Sequence, residues 1–516
     1  MSWQSEIDEL RRREALARQM GGEEKIALQH ERGKLTARER IVRLLDASAF
    51  REIGTISGHA RYGRDGGLEE FRASNFIFGR GRIEGRPVVV AADDFTVRGG
   101  AADASIVQKQ IMAEQMAGEL RLPIVRLIDG TGGGGSVKTL DSPLGRTYVP
   151  ANPGWEHVVG NLGTVPVVAL ALGPVAGLGA ARVVSSHYSL MVKGLSQLFV
   201  AGPPLVARVG EKVDKEGLGG SAIHTRNGSV DDEVESEDEA FERTRRFLSY
   251  LPSSVFEVPA RGPADDDPNR RDEWLIEAVP RDERKVYKMR PIIESVVDRG
   301  SFFEIGTYYG RSLITGLARL DGWPVAILAG DPYFYGGGWT AEASLKATRF
   351  VDLAETFHLP VVHLVDNPGF AIGTRFEKAA TIRHGARALA AVYQATVPWC
   401  SILVRKVFGV AGAGHTNASR LRYRYAWPSG DWGSLPIAGG LEAAYKAELE
   451  ASDDPEALER RIEQRLRAVR SPFRTAEVFL VEEIIDPRDT RPLLCEFANL
   501  AAPLRQPGRA SFFARP

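Results

Sequence analysis

The stretch LPIVRLID at residues 122–129 returns as LPVVHLVD at residues 359–366. Each is an apolar, largely β-branched run closed by an aspartate, the pattern of a short strand covered on both faces. Three more echoes keep the same order. Phe50-Arg51-Glu52-Ile53-Gly54-Thr55 answers Phe303-Glu304-Ile305-Gly306-Thr307. Gly85-Arg86-Pro87-Val88 answers Gly322-Trp323-Pro324-Val325, and Thr164-Val165-Pro166 answers Thr396-Val397-Pro398. The pairs beginning at Gly85, Leu122 and Thr164 stand 237, 237 and 232 residues apart. Four echoes in register indicate a duplicated domain, and so long a period means two large homologous domains rather than a solenoid.

Around these strands the same pattern repeats. Residues 87–92, 123–128, 166–172, 324–329, 360–365 and 401–404 read as buried strands. Residues 103–120 and 341–358 read as helices between them, and alternation of this kind implies an α/β architecture. Thr36-Ala37-Arg38-Glu39 is a capping box opening a helix through Leu45. The Pro/Asp/Arg-rich run 259–272 reads as an exposed linker, giving an N-terminal domain 1–258 and a C-terminal domain 273–516. The acidic run Asp231 to Glu239 reads as a solvated loop leading into a helix around Phe241 to Leu251.

At 516 residues the chain is too long for one ordinary core. Hydrophobic residues make up 43% and charged residues 26%, an ordinary balance for a soluble protein. A formal charge of -1, from 66 basic and 67 acidic side chains, argues against a nucleic-acid binder. Two cysteines, Cys400 and Cys495, build neither a disulfide framework nor a zinc site, so a reducing cytoplasmic setting and no metal are expected. Residues 1–21 lack a secretory apolar core, and no apolar run of about 18 residues offers a membrane span.

The chemistry is sought at glycine-rich strand ends. Gly130-Thr131-Gly132-Gly133-Gly134-Gly135 follows Asp129, and Asn367-Pro368-Gly369-Phe370 follows Asp366. Residues 173–180 (GPVAGLGA) and 408–414 (FGVAGAG) close the next strand of each copy. A strand, a small-residue turn and a helix leave backbone N–H groups directed at open space, where a pair can hold an oxygen gaining negative charge. Such sequences also form plain tight turns; the residues alone leave both readings open. GxxxxGK[ST] and Gly-x-Ser-x-Gly are both absent, which removes a P-loop and a serine hydrolase. Of the histidines, His224, His384 and His415 stand out, His415 because it follows Gly412-Ala413-Gly414. Asp129 and Asp366 are expected to hold the N–H groups of their turns. Arg405-Lys406 reads either as a partner for an anionic cofactor or as surface.

Taken in order, these segments resemble the β subunit of propionyl-CoA and related acyl-CoA carboxylases over nearly the whole chain. The likeness is carried by residues 32–41 (RGKLTARERI), Asp94-Phe95-Thr96-Val97 with Gly99-Gly100, and Gly173-Pro174-Val175-Ala176-Gly177. It continues through residues 199–203 (FVAGP), Leu218-Gly219-Gly220, Lys346-Ala347-Thr348-Arg349-Phe350 and residues 365–370 (VDNPGF). Arg383-His384-Gly385-Ala386 and residues 405–409 (RKVFG) complete it.

The resemblance implies two tandem crotonase-like domains and a homohexamer of two stacked trimers. Active sites would lie between the N-terminal domain of one subunit and the C-terminal domain of another. It implies Gly177 and Leu178 as N–H donors to the thioester oxygen, and Val410 and Ala411 as donors to the biotin ureido oxygen. Gly99, Gly100, Ala101, Gly132, Gly133, Ala176 and Ala413 would contact acyl-CoA. Gly369, Phe370 and Gly409 would join Val410 and Ala411 around biotin. The ureido nitrogen takes the α-proton and the enolate captures carbon dioxide, with no side-chain base. The Ala-Met-Lys-Met attachment sequence and an ATP-grasp region are absent, which implies carboxybiotin borrowed from a separate biotin carboxylase or carrier subunit.

The chain departs from the family at Gly130 to Gly135, where Ser-Gly-Gly-Ala-Arg is usual, at Val410, and in the insert Leu140 to Trp155. Propionyl-CoA is the default substrate. The alternatives are the carboxyltransferase part of an acyl-CoA decarboxylase and a catalytically silent scaffold of a carboxylase assembly.

Overall fold

The computed structural model describes residues 2–101, 104–130, 149 and 151–513. Contacts divide the chain into two compact units, Met1–Glu257 together with Phe513–Pro516, and Val258–Phe512.

The first unit is built on a seven-stranded sheet. Its order is Arg51–Ile53, Phe76–Ile83, Arg86–Asp93, Ile124–Ile128, Val167–Ala171, Tyr188–Val192 and Asp232–Val234. The second unit repeats that order with Phe303–Ile305, Leu313–Leu320, Trp323–Gly330, Val361–Asn367, Trp399–Phe408, Tyr423–Ala426 and Glu483–Ile484; Asp431–Gly433 adds to the end of Trp399–Phe408. In both sheets the first two junctions are antiparallel and the rest parallel. The apolar runs form these strands because both faces are covered: Val88, Val89 and Val90 expose nothing, nor do Val361 and Val362. Helices Val107–Leu120 and Ala341–Thr356 follow the third strand of each unit. The helix expected from residue 341 stops two residues early, at Thr356, with Phe357 as its C-cap.

The duplication reaches single atoms. The first hairpin turns through Glu84-Gly85 (φ 51° and 78°) and its counterpart through Asp321-Gly322 (φ 49° and 79°), the left-handed pair of a two-residue hairpin. Asp46 accepts both N–H groups of the first turn at 2.9 and 2.8 Å, and Asp298 those of the second at 3.0 and 2.8 Å. Lys109 donates to the Gly54 carbonyl at 3.1 Å, as Lys346 does to Gly306 at 2.8 Å. Arg38 pairs with Glu52, and Arg290 with Glu304. The capping box is present: Thr36 and Glu39 exchange hydrogen bonds at the start of Ala37–Leu44.

Two readings change. The acidic run is not a solvated loop. Asp231 and Asp232 are buried, accepting from Ser189 N–H at 2.8 Å and from Arg243 at 2.9 Å, because Asp232–Val234 is the edge strand of the sheet. The helix after it spans Glu237–Ser249. The stretch 259–272 has many exposed side chains, yet its backbone is tied to the second unit. Gly262 N–H donates to Gly322 O at 2.9 Å, and Arg491 holds Asp267 O at 2.9 Å. Arg270 in turn donates to the carbonyls of Ser295 and Val297. Among the described residues no helix is long and apolar enough to cross a membrane.

Candidate active site

At the C-terminal end of each repeated strand sits a fully buried aspartate. Asp129 accepts from Lys34 at 2.7 Å, Arg40 at 2.7 Å and Gln29 at 3.2 Å. Arg40, itself buried, grips Glu237 through two nitrogens at 2.9 and 2.7 Å and donates to Leu172 O at 2.9 Å. The segment 32–41 therefore serves to deliver two cations beneath the strand end. Asp129 is expected to hold the N–H groups of its turn; that turn, from Thr131 onward, lies outside the described residues, and among those described its oxygens take the three side-chain donors. Asp366 takes the Tyr287 hydroxyl at 2.8 Å, Arg405 at 3.2 Å and one backbone N–H, that of Lys406, at 3.1 Å. Burial pushes the carboxyl pKa of Asp366 up, with Arg405 opposing it. Arg405 is thus a buried partner of the protein's own carboxylate, not surface.

Three turns meet in the first unit. Arg98, Gly99 and Gly100 are all left-handed (φ 57°, 63° and 70°). A methyl on Gly100 would lie 2.7 Å from the Gly130 Cα, and one on Gly179 would lie 3.4 Å from the Gly130 carbonyl oxygen. Ala101 closes the first turn by donating to Arg98 O at 3.2 Å. Ala176 ends the strand Pro174–Ala176, and Gly177 follows at φ 60°, ψ −124°, a conformation open to glycine alone. Gly132 and Gly133 lie outside the described residues.

The second unit assembles the matching set. Tyr335, Gly336 and Gly337 are left-handed (φ 50°, 62° and 88°). Trp339 N–H donates to Gly369 O at 3.0 Å, and Asn367 Oδ1 accepts Gly369 N–H at 3.0 Å. A methyl on Gly412 would lie 3.5 Å from Asn367 O. The Phe370 ring rests against Gly385, where any side chain would overlap it. Gly409 has φ 59°, matching Gly177, and opens the short helix Gly409–Ala413. Val410 is 60% exposed, Ala411 is buried, and Ala413 is exposed on the same turn. The Tyr335-Gly336-Gly337 turn escaped sequence reading. Its signal was the repeat offset itself, which carries Gly99-Gly100 onto Gly336-Gly337.

The N–H groups of the first-unit turn differ in their partners. Gly177 gives its own N–H to Phe199 O at 3.2 Å. Leu178 opens the helix Leu178–Val184, and the first N–H groups of a helix have no acceptor within it. By register with Gly409, Leu178 and Gly179 are the counterparts of Val410 and Ala411.

The histidines are structural in setting. His224 Nε2 sits 2.7 Å from Leu198 O, and His384 lies half-buried on helix Thr381–Gln394. His415 is buried, with Nδ1 2.8 Å from Gly412 O, and its carbonyl accepts from Trp399 and Ser401. Burial pulls its pKa down to about 4, and that of the neighbouring His363 to about 3. Both rings are neutral at pH 7. Since the unfolded rings titrate near 6.5, stability is full above about pH 6.5 and falls as pH drops toward 4. Urea midpoints between pH 7 and 4.5 measure this, and His363→Gln flattens the slope if the reading holds. His415→Ala is expected to lower turnover less than about tenfold, with no new inflection in the pH–rate profile.

Among the described residues no group of three His, Cys, Asp or Glu side chains is placed to hold a metal. Comparison with known proteins gives one consistent answer. Residues 28–508 match the carboxyl transferase domain family. The propionyl-CoA carboxylase carboxyltransferase subunit of Haloferax mediterranei is 35% identical over 500 residues, 95% of each chain. The methylmalonyl-CoA decarboxylase subunit alpha of Veillonella parvula is 31% identical over 511 residues, 98% of this chain and 97% of that one. The crystal structure of transcarboxylase 12S, a hexamer with methylmalonyl-coenzyme A bound, superposes with a TM-score of 0.86 at 30% identity, covering 99% of this chain and 97% of that one. With its doubled α/β architecture and paired glycine turns, this chain belongs to the carboxyl transferase domain family.

Proposed function

We propose that the chain moves a carboxyl group from carboxybiotin, delivered by a separate carrier or biotin carboxylase subunit, to the α-carbon of an acyl-CoA. The observation that carries this reading is the pair of matched turns, Gly177-Leu178-Gly179 and Gly409-Val410-Ala411, each opening a short helix after a left-handed glycine. Leu178 and Gly179 N–H groups receive the thioester oxygen as it becomes an enolate oxygen. Val410 and Ala411 N–H groups receive the ureido oxygen. When bound, carboxybiotin supplies the carboxyl group, and its ureido nitrogen accepts the α-proton. The second-unit turn leaves room for such a ring: the nearest atom to a methyl added at Gly409 is the Ser434 carbonyl oxygen, at 3.3 Å. Gly99, Gly100, Ala101 and Ala176 line the acyl-CoA side, with Gly132, Gly133 and Ala413 as further contacts. Each unit is a crotonase-like domain, and a cytoplasmic homohexamer is the working assembly.

An acyl-CoA panel with the purified chain and its carrier subunit tests the reading. Propionyl-CoA is expected to be carboxylated fastest. Absence of transfer to every acyl-CoA, in either direction, sinks it in favour of a silent scaffold. The Veillonella relative favours one second reading, the same chemistry run as decarboxylation; methylmalonyl-CoA in the panel separates the two directions. A streptavidin blot is expected to show no biotin at this chain's mass, and a band there would contradict the separate carrier. Light scattering of the chain is expected to give a hexamer.

A further inference from the structure

A cavity of about 570 Å³ opens in the second unit beside the end of strand Trp399–Phe408. That volume is in the range of small-molecule sites. Part of its wall is apolar, from Leu275, Trp427 and Pro472. The rest carries five cations, Arg281, Arg405, Lys406, Arg467 and Arg470, against the two carboxylates Glu283 and Asp431.

Three of the cations are already neutralised. Arg405 pairs with Asp366 at 3.2 Å, Arg467 with Glu283 at 2.8 Å and Arg470 with Asp431 at 2.5 Å. Among the described residues Arg281 and Lys406 pair with no carboxylate. Arg470 also keeps its Nη2 buried without an acceptor. A buried guanidinium nitrogen is costly to leave unpaired. Two unspent positive charges beside an apolar wall select for an anion with several oxygens.

We propose that this cavity binds a small polyanion, of the phosphate or polycarboxylate class, separately from the two oxyanion turns. The inference goes beyond carboxyl transfer and does not depend on it. Arg281 and Lys406 supply the charge and the hydrogen-bond donors, and Pro472 is part of the apolar wall beside them.

Calorimetric titration of the full chain with pyrophosphate and with citrate, at matched ionic strength, tests it. One saturable site per chain is expected for at least one probe, and the tighter of the two identifies the phosphate or the carboxylate source. Arg281→Gln and Lys406→Met each weaken that binding at least tenfold. Arg281 is exposed, so its variant keeps the fold. Ala411→Pro leaves the affinity unchanged, so a failure of the oxyanion reading leaves this result standing. No saturable binding of either probe, or affinities unchanged in both cavity variants, overturns the proposal.

Discussion

Leu178→Pro and Ala411→Pro are each expected to lower carboxyl-transfer turnover about 100- to 1,000-fold, the cost of losing one oxyanion donor. Proline removes the N–H and little else at these positions. Leu178 is the first residue of its helix, where proline is favoured because its fixed φ suits a helix start and no helical bond is lost. Ala411 lies in the first turn of Gly409–Ala413, where proline is still tolerated. The two variants separate the substrates. Leu178→Pro should spare reactions that need only carboxybiotin, such as its abortive decarboxylation, while Ala411→Pro should depress them as well. Rates at saturating acyl-CoA, with circular dichroism to confirm folding, measure both. A folded Ala411→Pro with near-normal turnover, beside a dead His415→Ala, would replace the oxyanion turns with histidine acid–base chemistry.

Arg40→Met is expected to lower stability by about 3–5 kcal/mol, because it leaves two buried carboxylates short of their shared cation. Asp129 keeps Lys34, but Glu237 loses its two-point guanidinium contact. Methionine fills much of the volume, so the loss reports charge more than cavity. Arg40→Lys should recover part of it, since an ammonium keeps the charge but not the fork. Urea denaturation followed in both variants decides the matter. A loss under about 1 kcal/mol in Arg40→Met would mean that water reaches the cluster and that the segment 32–41 has another purpose.

Much of this protein was legible without coordinates, and for a physical reason. Strands buried on both faces need unbroken apolar runs, so LPIVRLID and LPVVHLVD declare themselves. Left-handed turns favour glycine, so Gly85, Gly177 and Gly409 mark where strands end. Both constraints act within a few residues, and a duplicated chain states them twice. The family likeness then supplied the chemistry proposed for those turns.

What the sequence could not state is which distant groups meet. Lys34 and Arg40 reach Asp129 across 95 and 89 residues of chain. The acidic run beginning at Asp231 looks solvated by composition, yet Asp231 and Asp232 are buried where the edge strand Asp232–Val234 pairs into the sheet. Gly177 reads as a donor by motif, but its N–H is taken by the Phe199 carbonyl of a neighbouring strand. The cation-lined cavity joins side chains from positions 275 to 487, none of which is distinctive alone. Local sterics fix the elements and are written along the chain; burial, pairing and charge compensation depend on what packing brings alongside, and only the tertiary structure decides that.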